Sequence, residues 1–219
     1  LRTIPDIDAG NSSPQNRFKP HRVITVPELL REIEKEILFF DESGGGVTFS
    51  GGEPLLQYRF LHASLQECRR RGIHTVLDTS GYASPDIFLA ILDYVDRFHY
   101  DLKLLDDEKH RYYTGVSNQP ILSNLKTLID RGKDVVIRFP LIPGSTDTEE
   151  NLNQLLALIR SFPPIHTIHV LPYHRSAREK YRRLQLEEKL KGIYPPSAEA
   201  VEAVTIRFKN AGFHVHVGG

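Results

Sequence analysis

Apolar residues recur along the chain in two alternating patterns, which predict short strands separated by helices. Helical spacing, with apolar residues three and four positions apart, marks the segments 25–40, 55–72, 84–95, 120–132, 146–162 and 197–212. A shorter and more polar helix is predicted over 106–113. Runs of branched and aromatic residues between these helices predict six strands, at 47–50, 73–80, 97–104, 134–142, 165–172 and 213–217.

Helix boundaries carry side chains that can bind the free backbone N–H groups of a first turn. Thr25 is the expected N-cap of the first helix, and Ser197 is that of the last. Thr146 or Asp147 is expected to cap the helix over 146–162, whose first turn is acidic. These caps support the predicted helix boundaries, and strands and helices alternate along most of the chain.

Strands that alternate with helices predict a parallel sheet built from right-handed βαβ units. Two α/β architectures fit this alternation: a doubly wound open sheet and a partial or full (β/α) barrel. In both, ligands bind beyond the carboxyl ends of the strands. Functional residues are therefore expected where the predicted strands end.

Composition and charge argue against several classes of protein. The 219 residues carry 28 Lys and Arg against 28 Asp and Glu, and this balance argues against a bulk nucleic-acid binder. No apolar run is long enough for a membrane helix, and there is no signal-peptide pattern. We expect a cytoplasmic protein without nucleic-acid or membrane partners. Residues 1–23 are expected to be a tail or loop, and residues 24–219 one domain.

The chain contains a single cysteine, Cys68, at an apolar position of a predicted helix. One cysteine permits no internal disulfide, which agrees with a reducing compartment. It also cannot by itself hold a zinc ion or an iron–sulfur cluster, since such sites take three or four ligands. We expect Cys68 to be a small core residue.

Polar or ionisable side chains follow five of the predicted strands where each one ends: Glu53, Asp78, Asp101 with Lys103, Arg138, and His174. Without partners, such groups would be costly inside a parallel sheet. At one rim they would form a mixed-charge cleft suited to a zwitterionic or phosphorylated ligand. Arg138 follows three apolar residues, so its guanidinium needs a carboxylate, from a neighbouring Asp or from a ligand.

The remaining histidines are not spaced as a metal site. His214 and His216 share one face of a strand, but no third ligand is spaced to join them. His166 and His169 have opposite parity and cannot share a face. His110 is expected on a solvated helix. We therefore predict no metal site from these residues.

The segment SGGGVTFSGGEPLLQ, residues 43–57, places a Gly-Gly-Glu-Pro motif directly after a predicted strand. It is followed in order by GIHTVLDTSGY, DLKLLDDEKHRYYTGVSN, RFPLIPGSTDTEENL, LPYHRSAREKYRRL and a terminal VGG. This ordered set, over residues 24–219, resembles the radical S-adenosylmethionine (SAM) enzymes that activate glycyl radical enzymes, the pyruvate formate-lyase activating enzyme family. The resemblance implies a partial (β/α)6 TIM-like barrel of the radical SAM type.

The resemblance also implies roles for the residues at the strand ends. Gly51, Gly52 and Glu53 match the motif that binds the amino group of SAM. The carboxylate of SAM and a monovalent cation are implied near a second group: Asp78, Thr79, Ser80, Asp101 and, through its backbone, His99. These are the cofactor-binding residues that the resemblance predicts, together with Arg138.

Two residues are implied to lie close to the reaction itself. His174, in the PYH segment, matches a position near the adenosyl 5′ carbon of SAM. Lys103 matches a position that lines the same cleft, as Arg138 does. Both His174 and Lys103 are therefore predicted as catalytic.

The activity implied by the resemblance belongs to the intact protein. A [4Fe–4S] cluster chelates SAM and cleaves it reductively to methionine and a 5′-deoxyadenosyl radical, which abstracts hydrogen from a glycine of the partner enzyme. The implied partners are a glycyl radical enzyme of the pyruvate formate-lyase type and an electron donor such as flavodoxin or ferredoxin. The barrel positions SAM and shields the radical from solvent.

One departure from the family pattern is clear. The C-x3-C-x2-C motif that holds the cluster is absent, and residues 1–23 contain no Cys. We expect a barrel fragment without its first strand, or else a degenerate relative; a ferredoxin-like insert upstream of the first helix would suit the fragment. Without three thiolates, the chain alone is expected to be inactive.

Two other functions remain open beside the one that the resemblance implies. A Schiff-base aldolase on a barrel would use Lys103 as its nucleophile, although it leaves the Gly-Gly-Glu motif unexplained. A non-catalytic barrel would instead bind a partner through its open face. Reductive trapping of a substrate on Lys103 would identify the aldolase. Activity that survives loss of Glu53 and Asp101 would favour the non-catalytic barrel.

Overall fold

A computed structural model describes residues 23–174 and 192–218. Its strands are β1 (Val47–Phe49), β2 (Thr75–Thr79), β3 (Arg97–Asp101), β4 (Asp134–Leu141), β5 (Thr167–Pro172) and β6 (His214–Val217). Its helices are α1 (Val26–Glu34), α2 (Ile37–Ser43), α3 (Tyr58–Arg70), α4 (Pro85–Ile91), α5 (Asp107–Thr114), α6 (Gln119–Asp130), α7 (Glu149–Arg160) and α8 (Ala198–Asn210). The predicted tail lies outside the described residues, except for Val23.

The six strands form one parallel sheet in the order β1-β2-β3-β4-β5-β6, so each strand pairs with the next along the chain. In a doubly wound sheet, the order in which successive strands are added reverses at a switch point. The order here does not reverse, so it excludes that alternative. Sequential right-handed crossovers place the helices on one side, as in a (β/α) barrel. The prediction of a partial TIM-like barrel is confirmed.

The two faces of the sheet differ in polarity, because side chains alternate along each strand. One face packs into the main apolar core, with fully buried side chains at Leu77, Phe98, Tyr100, Ile137, Phe139 and Ile168. The intervening positions form a polar inner face of half-buried side chains at Asp78, His99, Asp101, Arg138 and His169. The outer face anchors the helices, and the inner face supplies the candidate site.

Two of the predicted helix caps are confirmed, and one is wrong. Thr25 forms a capping box with Glu28, and the Ser197 hydroxyl accepts a hydrogen bond from the Ala200 N–H, 3.2 Å away. The cap of α7 is Thr148, not Thr146 or Asp147.

The loop before α7 explains the wrong prediction. The Thr146 hydroxyl accepts from the Ile142 N–H at 2.8 Å and donates to the Pro140 carbonyl at 2.6 Å. Asp147 accepts from the Gly144 N–H at 2.7 Å. Both side chains stabilise the loop that follows β4, so neither is available to the helix.

Two further expectations also differ from the structure. The helix over 25–40 is divided into α1 and α2, because the Lys35 and Glu36 N–H groups bond to carbonyls three residues back. His110 is 3% exposed rather than solvated, with Nδ1 2.8 Å from the Val116 carbonyl. It lies on the packed side of α5, where it fixes the turn after the helix.

Cys68 is buried, as predicted, in a smaller apolar cluster with Leu30, Ile33 and Ile73. Burial raises the pKa of its thiol, so the reactive thiolate is disfavoured. Within the described ranges, no helix combines the length and apolar character that a membrane crossing requires.

Candidate functional site

The loops at the carboxyl ends of β1 to β4 surround a cleft of about 290 Å³. It is lined by ten residues: Ser50, Gly51, Gly52, Glu53, Asp78, Thr79, Ser80, Asp101, Lys103 and Arg138. Nine of them are site residues predicted from the sequence. Ser50 was missed, although it directly precedes the Gly-Gly-Glu motif. The structure thus brings most of the predicted residues together at the rim where parallel-sheet proteins bind ligands.

The loop after β1 needs two glycines for its backbone conformation. Gly51 has φ 90° and Gly52 has φ 48°, both in the left-handed region that favours glycine. A Cβ at either position would meet nothing within 4 Å, so the requirement is conformational and not steric. Both residues are exposed beside the cleft, so a ligand can approach their peptide groups closely.

Glu53 joins this loop to the loop after β2 and is fully engaged by protein donors. Oε1 accepts from the Thr79 hydroxyl at 2.7 Å and from the Leu55 N–H at 3.2 Å. Oε2 accepts from the Ser80 N–H at 2.9 Å and also from the Ser80 hydroxyl. A carboxylate with these four donors holds the two loops together and shapes the cleft.

The loop after β2 is also fixed from behind. Gly81 has φ 73°, and a Cβ there would lie 1.8 Å from Tyr100 Oη. The Tyr100 hydroxyl donates to the Ile121 carbonyl at 2.6 Å, and the Asn124 amide donates to the Gly81 carbonyl at 2.8 Å. These buried contacts hold the wall of the cleft formed by Thr79 and Ser80.

Charged side chains of alternating sign cross the floor of the cleft. Arg138 forms an ion pair with Asp78, and its Nε lies 3.9 Å from Asp101 Oδ1. Lys103 Nζ is 3.4 Å from Asp101 Oδ2, and the Ser50 hydroxyl donates to Asp78 at 2.9 Å. A neighbouring Asp is therefore the carboxylate partner that Arg138 needs.

Burial raises the pKa of Asp101, an effect that Lys103 and Arg138 oppose and that the Asp78 carboxylate increases. Counting ionised forms, three carboxylates (Glu53, Asp78, Asp101) face two cations (Lys103, Arg138), a net charge of −1. The cleft is therefore suited to a ligand that carries both signs of charge with an excess of positive charge.

His174 and His99 do not line this cleft. His174 is exposed just beyond β5, at the end of a described range. The His99 ring lies on the inner face beside His169, with ring centroids 5.4 Å apart, and His216 lies 5.3 Å from His169 on its other side. Burial lowers the pKa of both His99 and His169, and Arg138 adds to this effect.

The residues do not fit an iron–sulfur cluster. The sequence has one cysteine, and Cys68 is buried in α3 away from the cleft. In the part of the chain that the structure describes, no group of three or more His, Cys, Asp or Glu residues could hold a metal ion. The thiolates of a cluster are therefore not among these 219 residues.

A sequentially wound parallel sheet with an ionic cleft at its carboxyl rim defines a (β/α) barrel whose cleft suits a small polar ligand. The sequence model of the radical SAM superfamily matches residues 8–156. Trans-4-hydroxy-L-proline dehydratase activating enzyme of Clostridioides difficile is 37% identical over 198 residues, which cover 89% of this chain and 65% of that protein. Pyruvate formate-lyase-activating enzyme of Staphylococcus aureus is 37% identical over 191 residues, covering 84% and 76%.

The solved structures agree with these relatives. A domain of pyruvate-formate lyase-activating enzyme from Bacteroides vulgatus superposes with a TM-score of 0.66 at 30% identity, covering 80% of this chain and 99% of that one. The chain belongs to the radical SAM superfamily and, within it, to the enzymes that activate glycyl radical enzymes. It spans about half to two thirds of the length of several curated relatives.

Proposed function

We propose that the cleft at the ends of β1 to β4 binds SAM, and that the protein to which this chain belongs uses SAM to form a glycyl radical on a partner enzyme. The observation that carries the proposal is the cleft itself, which combines a glycine loop with a net charge of −1. SAM has one carboxylate, one ammonium and one sulfonium group, so its net charge of +1 complements the cleft. The family supports the same ligand.

The residues of the cleft divide between the two charged ends of such a ligand. The peptide groups around Gly51 and Gly52 would hold the amino group, with Glu53 fixing the loop that carries them. Arg138 and Lys103 are the cations available to the carboxylate. Bound SAM supplies, on one-electron reduction, the hydrogen-abstracting species, and the barrel wall would keep water away from it.

We propose a monovalent cation between Asp78, Thr79, Asp101 and the backbone of His99 as part of the same site. Arg138 contacts Asp78 and lies near Asp101, so the cation has to compete with a guanidinium. A cation bound there would stabilise the nearby carboxylate of SAM. Affinity for SAM should therefore be higher in potassium chloride than in tetramethylammonium chloride at the same ionic strength. Equal affinities would rule this cation out.

The reductive step needs a cluster whose thiolates these residues do not supply. We therefore propose that this chain alone binds SAM weakly and does not cleave it. In the whole protein, a glycyl radical enzyme of the pyruvate formate-lyase type would be the partner, and flavodoxin or ferredoxin the electron donor. Of the two residues proposed as catalytic, Lys103 lines the cleft, whereas His174 lies just beyond β5 and would have to reach a ligand that extends past the lining.

The aldolase alternative has less support. A Schiff-base lysine must be neutral to attack a carbonyl carbon, whereas Lys103 lies in an ion pair with Asp101. Nothing in that reaction needs a glycine loop tied to the β2 loop through Glu53. Borohydride reduction with aldehyde substrates should leave Lys103 unmodified, and a trapped adduct on Lys103 would favour the aldolase.

Calorimetric titration of the full chain tests the proposal. SAM should bind more tightly than S-adenosylhomocysteine, which lacks the sulfonium charge that the cleft favours. Asp101→Asn should weaken SAM binding by about tenfold, the size of one lost charged hydrogen bond. Asp134→Asn is the matched control, because Asp134 forms an exposed ion pair with Arg97 at the opposite end of the same strands. SAM binding that is indifferent to Asp101→Asn would contradict the proposal.

A further inference from the structure

Three adjacent strands present one inner row of polar side chains below the cleft. In the pairing register, Asp101 of β3 lies opposite Arg138 of β4, and Arg138 lies opposite His169 of β5. Each contributes one buried polar atom that has no hydrogen-bond partner: Asp101 Oδ1, Arg138 Nε and His169 Nδ1. Among the described residues these are the only three such side-chain atoms, and all belong to this row.

Buried polar atoms without partners are rare in folded proteins, because each costs desolvation free energy that nothing returns. Three in one row point to a common guest. Arg138 Nε and Asp101 Oδ1 are 3.9 Å apart, too far for a direct hydrogen bond but close enough for one oxygen atom to bond with both. Neighbouring positions in the register bring His169 to the other side of Arg138.

The chemistry of the three atoms defines the guest. The guanidinium N–H can only donate and the ionised carboxylate oxygen can only accept, so the guest must both accept and donate. A single neutral group that does both satisfies the two atoms together, whereas the monovalent cation proposed above would bind oxygen atoms only and leave Arg138 Nε without a partner. A hydroxyl group or a water molecule meets both demands, and an imidazole nitrogen can serve either as donor or as acceptor.

The His169 ring is held in position for this contact. His99 packs against one side at a centroid distance of 5.4 Å and 62° between the ring planes, and His216 against the other at 5.3 Å and 71°. Both are edge-to-face contacts that restrict rotation of the ring. The two contacts therefore hold the His169 ring in place, with its Nδ1 buried.

We propose that His169 is a further binding residue of the cleft, and that Asp101, Arg138 and His169 together hold one neutral hydroxyl-type oxygen. The oxygen belongs either to a bound water molecule or to a hydroxyl group of the cleft's ligand. Only the second source rests on the proposed function. The site thus includes a residue of β5, one strand beyond the four strands whose ends line the cleft.

Crystal structures of the full chain, at a resolution that shows ordered water, test this directly. Crystals grown without SAM should contain an oxygen within hydrogen-bond distance of all three atoms if the guest is water. An oxygen that appears there only after soaking with SAM identifies a ligand hydroxyl. If neither crystal contains it, the proposal is overturned. The crystal without SAM gives an answer even if the chain does not bind SAM.

Two variants add a measurement in solution. His169→Leu removes the polar atom, and should lower the thermal midpoint by about 2–8 °C or weaken SAM binding about fivefold to tenfold. His169→Gln retains a polar atom and should recover most of the loss. His166→Leu is the matched control, because His166 is exposed just before β5 and lies outside the row. Equal effects of His169→Leu and His169→Gln would overturn the proposal.

Discussion

The carboxylate of Glu53 connects the loops after β1 and β2, because it accepts hydrogen bonds from both. Glu53→Ala should leave the donors of Thr79 and Ser80 without their acceptor, lower the free energy of unfolding by about 1–3 kcal/mol and weaken SAM binding more than about tenfold. Thermal unfolding and calorimetry measure the two effects. Glu150→Ala, which removes an exposed ion pair with Lys109, is the control. Equal losses in the two variants would contradict this role of Glu53.

Gly81 is required both by its φ of 73° and by the position of Tyr100. Gly81→Ala should cost about 1–3 kcal/mol more than Gly115→Ala, because overpacking adds to the conformational strain. Gly115 has φ 85° with nothing within 4 Å of an added Cβ, so it isolates the conformational part. Denaturant unfolding of both variants measures the difference, and equal costs would show that the wall of the cleft yields to a methyl group.

At the scale of elements, Asp107 ties α5 to the start of α6. It accepts from the Ser117 hydroxyl at 2.6 Å, from the Asn118 N–H at 2.8 Å and from Arg111 at 2.8 Å. The hydrogen bonds from Ser117 and Arg111 lower its pKa from 3.8 to about 2, so the folded state favours the ionised carboxylate.

The stability that Asp107 contributes should be complete above about pH 4 and should fall as the pH drops towards 2, because its pKa is lower in the folded than in the unfolded state. Asp107→Asn should therefore lower the thermal midpoint at pH 7, and the difference from the parent should narrow between pH 4 and pH 2. Thermal scans at several pH values measure this. A difference that is independent of pH would mean that the carboxylate's charge is not involved.

The elements also show what the sequence can predict. Apolar spacing identified the helices and strands, and Thr25 and Ser197 were recognised as caps because each depends only on its own helix. Thr146 and Asp147 failed as caps because the loop after β4 uses both side chains, in hydrogen bonds to groups three to six residues back along the chain. Apolar spacing shows where a helix lies, but not which of several neighbouring polar residues the preceding loop uses.

At the scale of the molecule, the order of the strands follows from connection rules, but their register does not. The strand-end rule collected five residues of the cleft without knowledge of the register, and the family resemblance added four more. His169 was overlooked because its neighbours are Arg138 and His216 across strands, whereas His166 is its neighbour only in sequence. Inner rows of a barrel become visible only once the pairing is known.

The chain's single cysteine leads to a prediction about the whole molecule. Anaerobic reconstitution with iron and sulfide should give no stoichiometric charge-transfer absorption, because one thiolate cannot replace three. Cys68→Ser should give the same spectrum as the parent. Stoichiometric absorption that survives Cys68→Ser would show that other residues of this chain hold a cluster.

The central claim is that the cleft at the ends of β1 to β4 binds SAM, and mapping of amide chemical shifts tests it most directly. Addition of SAM to the ¹⁵N-labelled full chain should shift the amide signals of Gly51, Gly52, Ser80 and Asp101, while those of the groove between α1 and α3, such as Arg31 and Gln66, stay in place. Shifts confined to that groove, or no shifts at millimolar SAM, would contradict the account.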